Sequence, residues 1–325
     1  MDETIFKIAL EEQKKKEGKS AFWQDLLEKF TGMGYKFKDK EDLRDKVRKE
    51  KKKRGIVGEI NYPIKDDFPN SPRVAVLDIE TLPAEVYTFR LYDQNIGIEQ
   101  VISEIGFLSW AAKFLNEPEM YSDILTSEEA PRKDDERITR SCWDFLSKVN
   151  VLVGHNAQAF DSKLMNTFFL KYNLPPLKYL IIDTLLIAKS NFRFSSNKLK
   201  FINQQLGIRN KIDNDGFPLW VACHHGDQKS LNTMLEYNLG DIIATEELFY
   251  KLRPYIKNFN ISLYNEIESL QCPVCGSTNL NVEGYYFTGN SGKYESVRCL
   301  DCKCISRKKQ NLLDKEKKKN LLVNS

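Results

Sequence analysis

The chain has 325 residues, 41% of them hydrophobic and 11% aromatic, which is enough apolar material for more than one folded core. No window approaches the apolar length that a bilayer span needs, and the opening MDETIFKIALEEQKKK is too polar for a secretory leader, so a cytoplasmic location and no membrane partner are expected. The net charge of +3 conceals an asymmetry: residues 1–56 carry +5, residues 303–325 carry +6, and the centre therefore carries −8. An acidic middle between basic ends suits a protein that holds cations centrally while its flanks grip a polyanion.

Residues 1–56 read as a small helical unit. Ile5, Phe6, Ala9 and Leu10 form one apolar stripe at helical spacing, and Phe22, Trp23, Leu26, Leu27 and Phe30 form another. TGMGY (31–35) interrupts, and residues 39–55 then offer Asp39 as an N-cap before a Lys/Arg-rich helix that stops at Gly55. Three short helices with a basic third resemble a helix-turn-helix unit and imply contact with nucleic acid; a solvated charged helix is the plainer reading. Residues 57–73, with Pro63, Pro69 and Pro72, read as a linker.

From 74 to 260 strand and helix patterns mix, as in an α/β domain. VAVLDIETLP (74–83) is an apolar strand interrupted near its end by Asp78 and Glu80. With a side-chain period of two, both carboxylates lie on one face and Ile79 on the other. Acids in an apolar strand are costly unless their charge is compensated, and a hard divalent cation such as Mg²⁺ or Mn²⁺ takes oxygen ligands. GFLSWAAKFL (106–115) and VNVLVGHN (149–156) read as further strands, the second entering a tight loop that places Asp161 in the first turn of a helix over 160–173. LIIDTLLIAK (180–189) passes from strand to helix. A long amphipathic helix over 233–256 puts Tyr237 and Asp241 one turn apart on a single face.

Asp78-x-Glu80, then Asn156-x-x-x-Phe160-Asp161, then Tyr237-x-x-x-Asp241 resembles the DnaQ-like 3′–5′ exonucleases with tyrosine in the last motif, of the proofreading and YprB types. Asp183-Thr184, NKLKFINQQLGI (197–208) and PLW (218–220) agree with that resemblance, which covers about residues 72–256. It implies a ribonuclease H-like fold: a mixed five-stranded sheet with helices on both faces. It also implies two Mg²⁺ or Mn²⁺ ions held by Asp78, Glu80, Asp161 and Asp241, and hydrolysis that releases nucleoside 5′-monophosphates. Tyr237 would orient the attacking water, since a phenol titrating near 10 is a poor base. Thr81 and Leu82 would contact the 3′ end, and Asn156 and Phe160 would help hold the terminal nucleotide. His155, His224 and His225 read as loop or structural histidines. The expected partner is nucleic acid, DNA ahead of RNA, together with a replication or repair protein. Two other readings stand beside this one: a non-catalytic DNA-binding or recruitment protein that retains the fold, and an endonuclease of the ribonuclease H type.

Cys142 and Cys223 read as small buried side chains. The other five cysteines fall within 272–304, and CPVCG (272–276) with CLDC (299–302) gives two Cys-x₂-Cys knuckles separated by 23 residues. Cys272, Cys275, Cys299 and Cys302 therefore form a candidate structural Zn²⁺ site, with Cys304 an alternative to Cys302. The intervening segment reads as a hairpin, which makes residues 268–306 a zinc ribbon whose fold depends on metal. Tyr285, Tyr286, Phe287 and Tyr294 interleave with Lys293, Arg298 and Lys303, a mixture suited to single-strand stacking. Residues 307–325 read as a basic tail without fixed structure.

Overall fold

The computed structural model describes residues 5–9, 12, 22–53, 72–208, 216–289 and 292–322. Most of the linker expected over 57–73, together with Leu10, Gly55 and the last three residues of the tail, lies outside the described residues. Two compact units divide the chain, Met1–Asp66 and Asp67–Ser325.

The first unit is helical over residues 5–9, over α1 (Phe22–Gly32) and over α2 (Lys40–Lys53). Ile5, Phe6, Ala9, Leu26, Phe30, Leu43 and Val47 are buried together, so the two stripes close on one small core. Leu43 and Val47, four residues apart, anchor the basic helix. Asp39 caps it as expected, its side chain accepting from the Asp42 amide at 2.8 Å.

The second unit is built on a five-stranded sheet in the order β5-β4-β1-β6-β7, where β1 is Val74–Leu82, β4 Gly106–Phe114, β5 Met120–Ile124, β6 Val151–Gly154 and β7 Leu180–Asp183. β4 runs antiparallel to β1 and β5, whereas β6 and β7 run parallel to β1 and to each other. This is the mixed five-stranded sheet expected above. Between β1 and β4 the chain makes a small antiparallel hairpin of β2 (Glu85–Val86) and β3 (Val101–Ser103), which was not foreseen.

Helices cover both faces. On one, α3 (Glu136–Leu146) and α4 (Asp161–Lys171) pack Ile138, Cys142, Phe145, Met165, Phe168 and Phe169 against Ala75, Leu77 and Ile79. On the other, α8 (Gln228–Leu252) lays Ile242 and Phe249 against Val76, Ala111, Val151 and Val153. Between them in sequence lie α5 (Thr184–Asn191), α6 (Leu199–Leu206) and α7 (Phe217–His224). α8 begins five residues before the expected 233, because the Asp227 carboxylate accepts from the Ser230 amide at 2.8 Å and caps the helix there. It ends at Leu252, just ahead of Pro254.

The C-terminal part is a three-stranded sheet, β10-β9-β8, formed by β8 (Leu280–Thr288), β9 (Gly292–Cys299) and β10 (Ile305–Arg307). It seats on the α/β domain through the Ile261 amide, which donates to the Pro273 carbonyl at 2.7 Å, and through Ile256. In the segment expected to lack fixed structure, the Leu312 amide donates to the Lys293 carbonyl at 2.7 Å, and Lys315–Lys319 forms a short helix, α9.

Candidate active site

β1 lies at the sheet's switch point, between an antiparallel neighbour and a parallel one, where the crevice beyond the strand ends is a natural ligand site. Its ladder with β6 ends at Val76, while β1 itself runs on to Leu82. The overhang carries Asp78 and Glu80 on the face covered by α8, each half-buried. α8 brings Asp241, fully buried, to the same place. One carboxylate oxygen from each of Asp78, Glu80 and Asp241 lies within 4.8 Å of the other two.

Asp161 stands beside this triad and outside it. Its Oδ1 accepts from the Ile79 amide at 3.3 Å, on the stretch of β1 that β6 no longer covers. Burial pushes its carboxyl well above the usual range, and the nearby Asp78 charge pushes the same way. The first turn of α4 and the Ile79 bond favour the ionised form, but burial dominates.

The loop that delivers Asp161 is held by a different acid. Asp183 is buried; its Oδ1 accepts from the Asn156 amide (3.0 Å) and the Leu185 amide (2.9 Å), and its Oδ2 from the Gln158 amide (3.0 Å). Asn156 sits at φ +73°, a left-handed turn that asparagine tolerates. Gly154 is needed at the loop entrance, since a Cβ there would lie 2.7 Å from the Ala157 Cβ and 3.2 Å from the Leu77 carbonyl. His155 bridges two segments, Nδ1 to Thr184 Oγ1 and Nε2 to the Asn197 carbonyl, both at 2.9 Å.

Tyr237 is buried one turn before Asp241, its ring edge-on to Trp220 at 6.2 Å. Trp220, Phe217, Pro83 and Thr81 line an open cleft of about 290 Å³. Phe160 is exposed. Leu82, expected at the 3′ end of a substrate, is fully buried with Leu77 and Ile79. An irregularity in the β1–β4 ladder between Glu80 and Thr81 accompanies that inward turn, as bulges re-aim side chains. Its side chain therefore packs in the core, not on the open cleft. His224 and His225 close α7 with stacked rings, and burial lowers the His224 pKa.

The RNase_H_2 model of the RNase_H superfamily matches residues 77–253, more than half the chain. The chain belongs to the RNase H superfamily. A search of curated proteins finds no match. Among solved structures, a family B DNA polymerase from the hyperthermophilic archaeon Pyrobaculum calidifontis resembles it at 18% identity and a TM-score of 0.41, over 58% of this chain and 26% of the polymerase. The chain thus spans about a quarter of that polymerase's length.

In this RNase H superfamily domain the residue that the motif reading passed over is Asn238. It is fully buried, and its Nδ2 donates to Asp78 Oδ2 at 2.7 Å and to the Asp78 carbonyl at 3.3 Å. Its Oδ1 accepts from Ser109 Oγ, also fully buried, at 3.1 Å. A donor chain of this kind orients a carboxylate for a cation and fixes which oxygen is left to it. The donor set fits such an ion: oxygen only, concentrated and partly buried, with like charges that a hard divalent cation would reconcile.

Cys272, Cys275, Cys299 and Cys302 have their Sγ atoms within 4.8 Å of one another, with Cys272–Cys302 and Cys275–Cys299 each at 3.5 Å. Tetrahedral Zn–S bonds of about 2.3 Å place sulfurs roughly 3.8 Å apart, so the cluster could hold zinc with small adjustments. Cys304 lies outside the four, buried and turned toward the Ile305 carbonyl and Ser306 Oγ, both at 3.6 Å. Contact with Cys272 pushes the Cys275 thiol up to about 12, and burial lifts Cys302 to about 11. Loading the site must therefore displace protons.

Proposed function

We propose that this protein is a metal-dependent 3′–5′ exonuclease that hydrolyses DNA, ahead of RNA, to nucleoside 5′-monophosphates. The observation that carries the reading is the convergence of Asp78, Glu80 and Asp241 at the open end of β1, with Asp161 beside them and Tyr237 one turn from Asp241. Superfamily membership supports phosphodiester hydrolysis in general; the acid-and-tyrosine pattern favours the exonuclease branch.

When bound, divalent ions would supply Lewis acidity at the phosphate and lower the pKa of an attacking water. Asp78, Glu80 and Asp241, with Asp161, would hold them. Asn238 keeps Asp78 in position. Tyr237 orients the water, and Thr81, Phe217 and Trp220 offer a wall against which the terminal nucleotide packs. Phe160, exposed and next in sequence to Asp161, would help hold the terminal nucleotide.

The test uses single-stranded and duplex DNA and RNA, each labelled at either end, incubated with Mg²⁺ or Mn²⁺, with Asp78→Ala as the control. Stepwise shortening from the 3′ end, absent in the variant, is the expected result. Internal fragments would instead indicate an endonuclease, and retention without degradation a binding protein; either outcome removes the proposal.

A further inference from the structure

The β8–β9 hairpin projects aromatic side chains that no core absorbs. Tyr285, Tyr286 and Phe287 are 57%, 42% and 68% exposed. Directly opposed residues of an antiparallel ladder share a face. Tyr285 opposes Glu295 and Phe287 opposes Lys293, so two rings and one cation occupy one side; Tyr286 opposes Tyr294 on the other, where Arg307 of β10 joins them.

The charges follow a pattern. Glu283 is taken up by Arg298, whose Nε lies 2.8 Å from both carboxylate oxygens, and Glu295 by Lys308 at 2.5 Å. Lys293 and Arg307 instead lie over rings: Lys293 Nζ is 3.9 Å from the Tyr285 centroid and Arg307 Cζ 4.0 Å from that of Tyr294. The hairpin's acids are thus neutralised internally, while each face presents rings with a cation on top. Lys315, Lys317, Lys318 and Lys319 follow in α9.

We propose that the outer half of this hairpin, residues 285–288 and 292–295 together with Arg307, is a docking arm for single-stranded nucleic acid. Unpaired bases stack on Tyr285 and Phe287, and Lys293 and Arg307 meet the flanking phosphates. Charge selects this occupant over a protein, because both hairpin acids are paired with cations while Lys293 and Arg307, one on each face, lie over rings and not over carboxylates. The spacing agrees: alternate residues of a strand are about 6.8 Å apart, twice the ~3.4 Å rise of one nucleic-acid strand, so the two rings reach neighbouring bases only where the strand is extended. A duplex, with its bases already stacked on each other, offers nothing to these rings. The inference concerns binding and goes beyond the hydrolytic reading, standing whether or not the acidic site cleaves.

The test is fluorescence anisotropy with the full-length, zinc-loaded chain carrying Asp78→Asn, so that no probe is degraded. The probes are a labelled 15-nucleotide dT strand, an abasic strand of equal length and a duplex. Each lost stack weakens Kd about fivefold or more, so Tyr285→Ala with Phe287→Ala is expected to weaken dT binding about 25-fold, while Tyr285→Phe stays within about twofold. Lys293→Ala and Arg307→Ala should each lower the salt slope by about 0.7. The unsubstituted arm should bind the abasic strand no more tightly than the double variant binds dT. Equal affinity for dT and abasic strands, or an unchanged Kd in a double variant that retains its zinc, overturns the proposal and leaves the arm to a protein partner. The abasic comparison needs no substitution in the arm, so equal affinity for the two strands overturns the proposal even if the double variant loses its metal.

Discussion

Replacing Asp241 by asparagine should stabilise the metal-free protein, although Asp241 belongs to the candidate catalytic set. The side chain is fully buried and its carboxylate lies within 4.8 Å of those of Asp78 and Glu80. At that separation two unit charges repel by about 3–4 kcal/mol at an effective dielectric of ~20. Proton uptake limits the penalty, since holding one carboxyl protonated at pH 7 costs about 4 kcal/mol. Removing one charge without changing size should therefore yield about 2–4 kcal/mol, or roughly 4–16 °C in Tm for a domain of this length. The assay is thermal melting in buffer free of Mg²⁺ and Mn²⁺ with zinc retained, followed by Mn²⁺ titration. The parent should gain about 2.7 kcal/mol at one hundred times its Kd, and Asp241→Asn almost nothing. A variant that melts below the parent without Mn²⁺, or that gains as much from Mn²⁺, would refute the reasoning.

Asn238→Ala removes the donor to Asp78 and should weaken Mn²⁺ binding about 10–100-fold, read as a shift in the midpoint of Mn²⁺-dependent melting; Ser109→Ala, one link further out, should move it less. The parent chain supplied with Zn²⁺ should hold one zinc by metal analysis, Cys302→Ser should hold none and Cys304→Ser should still hold one; the opposite result would move Cys304 into the cluster. Glu129 is held down to about 2 by its hydrogen bonds with Arg137. A depressed carboxyl stabilises the fold above its unfolded pKa near 4.5 and loses that contribution as pH falls toward 2. The difference in urea midpoint between the parent and Arg137→Met should therefore shrink steadily from pH 6 to pH 2.5.

The acids of the site were legible because a carboxylate inside an apolar strand, or at the inner edge of an amphipathic helix, violates the local pattern. Asn238 violated nothing: an amide beside a tyrosine in a helix is unremarked until the helix is laid across β1 and its donor turns toward Asp78. Leu82 was expected at the 3′ end from the family resemblance, which carries no information on the irregular β1–β4 ladder that accompanies its burial. The start of α8 was written in Asp227 and Ser230, a capping signal overshadowed by the apolar run after it. α3 also had its signal in Ile138, Cys142, Phe145 and Leu146, spaced to fill one face. The β2–β3 hairpin had none, since its residues pair over only a few positions and much of the segment stays exposed.

Under the proposed function, Asp161 does two jobs at once. Its carboxylate occupies the place of a missing neighbouring strand, giving the Ile79 amide the acceptor that β6 stops short of providing. Chemistry and scaffold are therefore not separable at this position. A descendant that abandoned hydrolysis would still need an oxygen there, and should drift to asparagine before alanine or leucine.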